Sequence, residues 1–303
     1  MQRQEREGGF ALVLVIFLTA VISLLAVILT MTIRSHLRLA TNTVLMAQAE
    51  AIADAGVQLA VLSLVSANPS IDKAARFPID GQPVSCFVDD STTLTLQVQD
   101  ASGRVNLNLA GDRLLLALFI GLGVSPDDAS RYADAIIDYR DADSDRRPAG
   151  AERPEYEAAG RPDGPKNAPF DTVEELGRVL GMDPSMIALS LPHLTVHSQT
   201  AGLDPRVTSP ELAQILARGV ERLPARSGPQ VSGAGPLPAE FVTGSPRRVF
   251  LVLSTAQLAG GTVFSRQTVL ELQSTRAAVP VLKLWSRGAA VPSGEAVSGS
   301  SSC

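Results

Sequence analysis

Seven carboxylates fall within twenty residues near the middle of the chain: Asp138, Asp141, Asp143, Asp145, Glu152, Glu155 and Glu157. Asp141-x-Asp143-x-Asp145 is the alternation with which an acidic loop can wrap a hard cation. Calcium takes roughly six to eight oxygens in flexible geometry, so such a loop suits it. The run departs from an EF-hand loop, because Arg146 follows where a turn glycine is expected. The same residues also read as a solvated acidic loop partly neutralised by Arg140, Arg146, Arg147 and Arg153. Two of these carboxylates as acid and base would be the only enzymatic reading. No Ser/His/Asp or Cys/His set accompanies them, and only His36, His193 and His197 are present.

A second pattern is Leu118-Phe119-Ile120-Gly121-Leu122-Gly123-Val124, followed by Ala129 and Ala133. It reads as a helix-hairpin-helix, whose glycine turn can hold a DNA phosphate through backbone N–H groups. The alternative function is therefore a membrane-anchored DNA-binding protein of a competence-type pilus. Asp127 and Asp128 follow the turn where Lys or Arg would be wanted, so a compact structural pair of helices is the expectation. The formal net charge of −5 over 303 residues, with no basic block, argues against nucleic acid as a partner. Aromatics are only 4 %, too few for base-stacking platforms. Cys86 and Cys303 form no disulfide framework or thiolate metal spacing and read as unpaired thiols.

The longest element lies at the start. From Gly8 to Ile33 the chain is apolar apart from Thr and Ser. About 24 uncharged residues at ~1.5 Å each give ~36 Å of helix, enough for a ~30 Å hydrocarbon core. Small residues precede this run, and Arg34-Ser35-His36-Leu37-Arg38 follows it, which is not the order of a secretory signal. Beyond it, Leu45, Ala49, Ile52, Ala55, Leu59 and Leu62 recur at helical spacing, with Gln48, Glu50, Asp54 and Gln58 opposite. Asn68-Pro69 ends the helix. Period-two alternation between Val84 and Val98 around Asp89-Asp90-Ser91 predicts a hairpin. Helices are expected after Ser125-Pro126-Asp127-Asp128, after Asp171-Thr172 and up to Gly181, and after Ser209-Pro210-Glu211. Residues 224–246 read as an irregular loop. Strands follow over 248–254, 262–272 and 281–285, and then a Gly/Ser-rich disordered tail.

Charged leader, Gly9, Phe10 and a long apolar helix resemble the class III signal of type IV pilins and type II secretion pseudopilins. That resemblance implies that prepilin peptidase cuts after Gly9 and that Phe10 is N-methylated. The fifth mature residue in those families is usually Glu, and here it is Leu14. The K-type minor pseudopilins, the general secretion pathway protein K family, lack that Glu. Their recurring wording is matched by Gly103-Arg104-Val105-Asn106-Leu107-Asn108, Asp138-Tyr139-Arg140-Asp141, Lys166-Asn167-Ala168-Pro169-Phe170, Asp204-Pro205-Arg206 and Leu282-Lys283-Leu284-Trp285.

The expected fold is α+β: a long transmembrane and stalk helix, and a pilin-like αβ head whose antiparallel sheet is interrupted by an inserted all-α domain. Expected divisions are the leader 1–9, helix 10–67, first head part 68–108, insert 109–222, C-terminal strands 223–287 and flexible tail 288–303. The resemblance implies no enzyme but a single-pass inner-membrane precursor with most of the chain periplasmic, assembled at the tip of the pseudopilus. There it would cap the filament, nucleate assembly and help export folded proteins across the outer membrane. Implied partners are the I- and J-type and then H-type minor pseudopilins, the major pseudopilin, prepilin peptidase, the inner-membrane platform, exoprotein and the secretin. It also implies calcium as the cofactor, on Asp138, Asp141, Asp143, Asp145 and Glu152.

Overall fold

The computed structural model describes residues 7–65, 77–223, 237–273, 279–288 and 297–302. The first helix, α1, spans Glu7–Val65, 59 residues without a break. Its length is ~88 Å at ~1.5 Å per residue. No proline interrupts it, and Thr19, Thr30, Thr32, Thr41 and Thr43 turn their hydroxyls onto carbonyls one turn earlier. Every side chain from Leu12 to Val44 is exposed. It is the one described helix long and apolar enough to cross a membrane.

Packing on the head begins at Leu45. The face that docks is made of small residues: Ala49, Ala53, Val57 and Ala60 are wholly buried. This differs from the expected stripe, because Ala55 and Leu62 face solvent. Small residues win because they let the helix axis lie close to the sheet. Gly56 marks the nearest approach: a Cβ there would sit 2.3 Å from Ser254 Oγ and 2.9 Å from Leu94 Cδ1. Glu50 and Asp54, expected to face solvent, reach across to Arg266.

The sheet is built from β1 (Asp80–Asp89), β2 (Thr92–Asp100), β5 (Val249–Gln257), β6 (Val263–Glu271), β7 (Val281–Arg287) and β8 (Val297–Ser302), in the order β7-β6-β5-β2-β1-β8. Neighbours are antiparallel except β1 and β8. The hairpin predicted around Asp89-Asp90-Ser91 is β1–β2, with Ser91 N–H and Oγ–H both donating to Asp89 at the turn. Helix α1 contacts β2, β5 and β6, and two apolar clusters under it combine Val57 and Ala60 with Phe250 and Val252, and Ala49 and Ala53 with Ala256 and Phe264.

Two expectations for the tail and cysteines are corrected. The tail is not wholly irregular: Val297–Ser302 pairs parallel with β1, with Ser301 beside Cys86. Cys86 is disulfide-bonded rather than a free thiol. The strand that returns to β1 brings the chain to within one residue of Cys303, its other cysteine, which lies outside the described residues.

Between β2 and β5 lies a helical block with its own core. It contains α2 (Asp112–Gly121), α3 (Pro126–Arg140), α4 (Arg153–Ala158), α5 (Pro184–Ser190) and α6 (Pro210–Glu221). A short parallel pair, β3 (Val105–Asn106) with β4 (Leu194–Thr195), closes its base. The core takes in Val105 and Leu107 before residue 109, and Leu237 and Phe241 after residue 222. Ser125 and Ser209 cap α3 and α6 as their Ser-Pro-acid sequences predict. The helix expected from Asp171 to Gly181 is instead a 3-10 segment, Val173–Arg178. Thr172 makes no side-chain cap, and Lys166 engages Asp171 and Glu175 at 2.7 and 2.9 Å.

Replacing Gly56 by Val is expected to destabilise the head by about 1–3 kcal/mol, the usual cost of overpacking. Ala55→Val, one residue away on the exposed face, should change stability by less than about 0.5 kcal/mol. Denaturant melts of the detergent-solubilised chain would compare the two.

Candidate functional site

The acidic run is organised by the last two turns of α3. Asp134 and Asp138 stand one turn apart, and the chain leaving the helix folds back across them. Asp134 accepts from Arg147 Nε at 2.7 Å and from the Ala149 N–H at 3.0 Å. Asp138, fully buried, accepts from the Arg147 N–H at 3.2 and 3.4 Å. Gly150 passes over it so closely that a Cβ would lie 2.0 Å from Asp138 Oδ2. The loop then enters α4, where Glu155 accepts from the Glu152 N–H at 3.0 Å. The Glu152 carboxylate is turned inward, only 3 % exposed.

Four buried oxygens here have no hydrogen-bond partner: both of Glu152, Asp141 Oδ1 and Asn167 Oδ1. Asn167 is held in a left-handed conformation, φ 48°. Its N–H donates to the Tyr139 carbonyl at 3.0 Å, and its Nδ2 donates to the Asp143 carbonyl at 2.9 Å. A non-glycine residue at positive φ costs free energy and marks a position fixed by its surroundings. Unpaired buried oxygens are also costly, and carboxylates especially so.

Charge accounts for the titration of these groups. Burial raises Asp138 to about 6, and the Asp141 and Asp134 charges add to this against the Arg147 N–H. Burial, then Asp143, raises Asp141. Burial, then Asp138, Asp141 and Asp143, raises Glu152. Asp138, Asp141, Asp143 and Glu152 thus share one field. Asp143 and Asp145 are exposed, and the Asp145 N–H donates to Asp143 Oδ1 at 2.9 Å. Glu155 and Glu157 pair with Arg146 and Arg153, as the solvated-loop reading expects. As the side chains stand, no three His, Cys, Asp or Glu among the described residues converge on one metal position. The donor chemistry nevertheless fits a hard cation: two carboxylates and one amide supply the four unpartnered oxygens.

Sequence reasoning missed two of these features, Asn167 and Asp134, and reached Glu152 only through the family resemblance. Counted from Asp141 as the first position, Glu152 is the twelfth, the place of the bidentate Glu in an EF-hand loop. The expectation that no Glu stands at the twelfth position is thereby corrected. Asn167 stood in a quoted motif without a role, and its positive φ has no sequence signal. Asp134 contributes by binding Arg147 and the Ala149 N–H and by its charge beside Asp138.

The helix-hairpin-helix candidate is used internally. The N–H groups of Leu122, Gly123 and Val124 bond to the carbonyls of Leu118, Ile120 and Phe119. Gly121 is small because α6 crosses it: a Cβ would lie 1.9 Å from the Ile215 carbonyl oxygen. The turn therefore offers no free donors to a phosphate. Gly9 and Phe10 lie near the start of α1.

Residues 95–199 match the family model of type II secretion system protein K. Over that stretch the chain is similar to the K-type pseudopilins of type II secretion. The K-type match runs from β2 to just past β4 and includes every residue of the acidic site. Among curated proteins, the chain is similar to an Escherichia coli K12 protein provisionally named type II secretion system protein K, at 25 % identity over 206 residues. That match spans 63 % of this chain and 63 % of the relative's length. Among solved structures, the fold is shared with a chain of the GspK-GspI-GspJ complex from the type 2 secretion system of enterotoxigenic Escherichia coli. The TM-score is 0.58 at 18 % identity, covering 85 % of this chain and 99 % of that one.

The raised Asp138 sets a sign for stability. The folded chain holds this proton more tightly than the unfolded chain, whose Asp titrates near 3.8. The stabilisation is complete below that value and is lost as pH rises to about 6. In calcium-free buffer, Asp138→Asn is expected to flatten the decline in stability between pH 4 and 6. Melting curves across that range would check it.

Proposed function

We propose that this chain is the K-type minor pseudopilin at the tip of a type II secretion pseudopilus. It is made as an inner-membrane precursor with its head in the periplasm, is cut after Gly9 by prepilin peptidase and is N-methylated on Phe10. It then nucleates the filament with I- and J-type pseudopilins, followed by the H-type and the major pseudopilin on the inner-membrane platform. At the tip it helps carry exoprotein toward the secretin. One observation carries the reading: an unbroken 59-residue helix, apolar over its first half, lays its second half on the sheet of a head whose residues 95–199 match the protein K family model. Leu14 supports the terminal place, since a subunit with none ahead of it has no neighbouring amine to neutralise. The neighbour solved with GspI and GspJ supports the choice of first partners.

Calcium is part of the same reading. Asp141, Glu152 and Asn167 would hold it, with Asp138, Asp143 and Asp145 close in the loop. The ion would neutralise carboxylates that burial and mutual repulsion otherwise disfavour, and so rigidify the loop between α3 and α4.

Two measurements test these statements. The mature chain from membranes of cells with prepilin peptidase should begin at a methylated Phe10, and from cells without it at Met1. An intact Met1 in both would remove the pseudopilin pathway. Calorimetry on the detergent-solubilised chain should show calcium binding that weakens about tenfold or more in Glu152→Gln and in Asn167→Ala. The binding should also weaken from pH 7.5 to pH 5, because protons compete for carboxylates with raised pKa values. A chain indifferent to calcium at both pH values would remove the cofactor and leave the filament role standing.

A further inference from the structure

The helical block has a second feature that the acidic site does not use. A cleft of about 540 Å³ opens between the α2–α3 turn, the end of α5 with the 3-10 turn Leu191–His193, and one face of α6. That volume lies in the range of ligand sites, ~300–1,000 Å³. The α6 wall presents Glu211, Ile215, Arg218 and Arg222 in line, at helical spacing. Leu122 and the exposed Leu189 line the cleft opposite, with Pro192 and the buried His193. Burial holds His193 below its ordinary titration range, so it adds no cation at neutral pH.

The two arginines stand out by what they lack. Elsewhere in the block, Arg113, Arg131, Arg147 and Lys166 are all ion-paired. The guanidiniums of Arg218 and Arg222, both exposed, make no ion pair or hydrogen bond with any described residue. Two unpaired guanidiniums one turn apart, beside an apolar floor, are built to take carboxylate attached to an apolar group.

The shape of the charge selects the kind of ligand. Glu211 lies seven positions before Arg218, about 10 Å along the same helix. A nucleic-acid strand repeats its charge every ~3.4 Å of duplex axis, so it would place phosphate against Glu211. The glycine turn, with its N–H groups already bonded within the chain, cannot compensate. An extended peptide covers ~10 Å with about three residues and can carry acid at one end only. We propose that this cleft docks an acidic–apolar peptide segment of a partner protein. Its carboxylates lie on Arg218 and Arg222, and its apolar side chain lies against Leu122, Leu189 and Ile215. The assignment does not depend on the tip role.

The test uses the detergent-solubilised full chain and fluorescence anisotropy. The probe is a fluorescein-labelled hexapeptide, Asp-Asp-Leu-Leu-Ala-Gly. Its Lys-Lys-Leu-Leu-Ala-Gly counterpart and a labelled single-stranded 20-mer DNA serve as comparisons. Saturable binding of the acidic peptide is expected, weakened about tenfold or more by Arg218→Glu with Arg222→Glu. Leu189→Asp should also weaken it, and Arg131→Glu, on α3, should leave it unchanged. These positions are exposed, and circular dichroism would verify that each variant folds. No saturable peptide binding would overturn the proposal. So would equal loss in Arg131→Glu, or DNA binding tighter than peptide that the arginine pair controls.

Discussion

The close seating of α1 on the sheet is the contact on which the rest of the head depends. A helix that is exposed and apolar for its first half must be held by its second, and the hold is made by small side chains. Ala49, Ala53, Val57 and Ala60 give up contact area per residue but let backbone approach backbone, and Gly56 removes the last obstacle. Dispersion at that distance is shared among many atoms and has no strong direction. Direction comes from Arg266 on β6, which is mostly buried and reaches Asp54 at 2.6 Å and Glu50 at 2.5 Å. Its guanidinium also lies over the rings of Phe264 and Trp285 at 4.9 and 5.0 Å. A cation pinned from both sides fixes the rotation of α1 about its axis, which an alanine face alone does not.

A second polar fastening joins the sheet to the helical block. Asp100, at the end of β2, accepts from the Ser245 hydroxyl at 2.5 Å. The Ser245 N–H donates to Asp204 at 2.9 Å, and the Asp204 N–H returns to the Ser102 carbonyl at 3.0 Å. Arg206 grips the same Asp204 from solvent and holds it well below the usual carboxylate range. Chain entry and chain exit of the block are thus tied at one point. The acidic loop lies beyond this tie, on α3, so its electrostatics can change without loosening the sheet.

Much of this was readable from residues alone, and the failures have physical causes. Ser125 and Ser209 announced their helices, because a cap is a local interaction between near neighbours. The hairpin was readable from period two, and the anchor from composition. The docking face of α1 was read in part: Leu45, Ala49, Ile52 and Leu59 pack on the head, whereas Ala53, Val57 and Ala60 at its centre were missed, because periodicity finds large apolar residues and the sheet selected small ones. The segment after Asp171 looked like a helix start, but Lys166 claimed the acids that a first turn would use. The β8 strand was invisible, since a Ser-rich segment has no propensity for pairing and gains its order from β1. Asn167 needed a φ angle that no sequence states. Glu152 was named through the family resemblance, and counting from Asp141 also reaches it as the twelfth residue.

The order of the strands also has a consequence in time. The centre of the sheet is the β2–β5 pair, which joins Thr93 to Gln257 and Asp100 to Phe250. Closing it brings together segments roughly 150 residues apart, a search that is slow although its entropy grows only logarithmically with length. The helical block has a core of its own, and that core includes both Val105 and Phe241, just inside the two strands. Once the block has collapsed, the loop that remains to be closed is short. That order would let the sheet form late, around a finished insert. Helix α1, which precedes every strand of the sheet in the chain, would then be the last to receive the surface on which it lies.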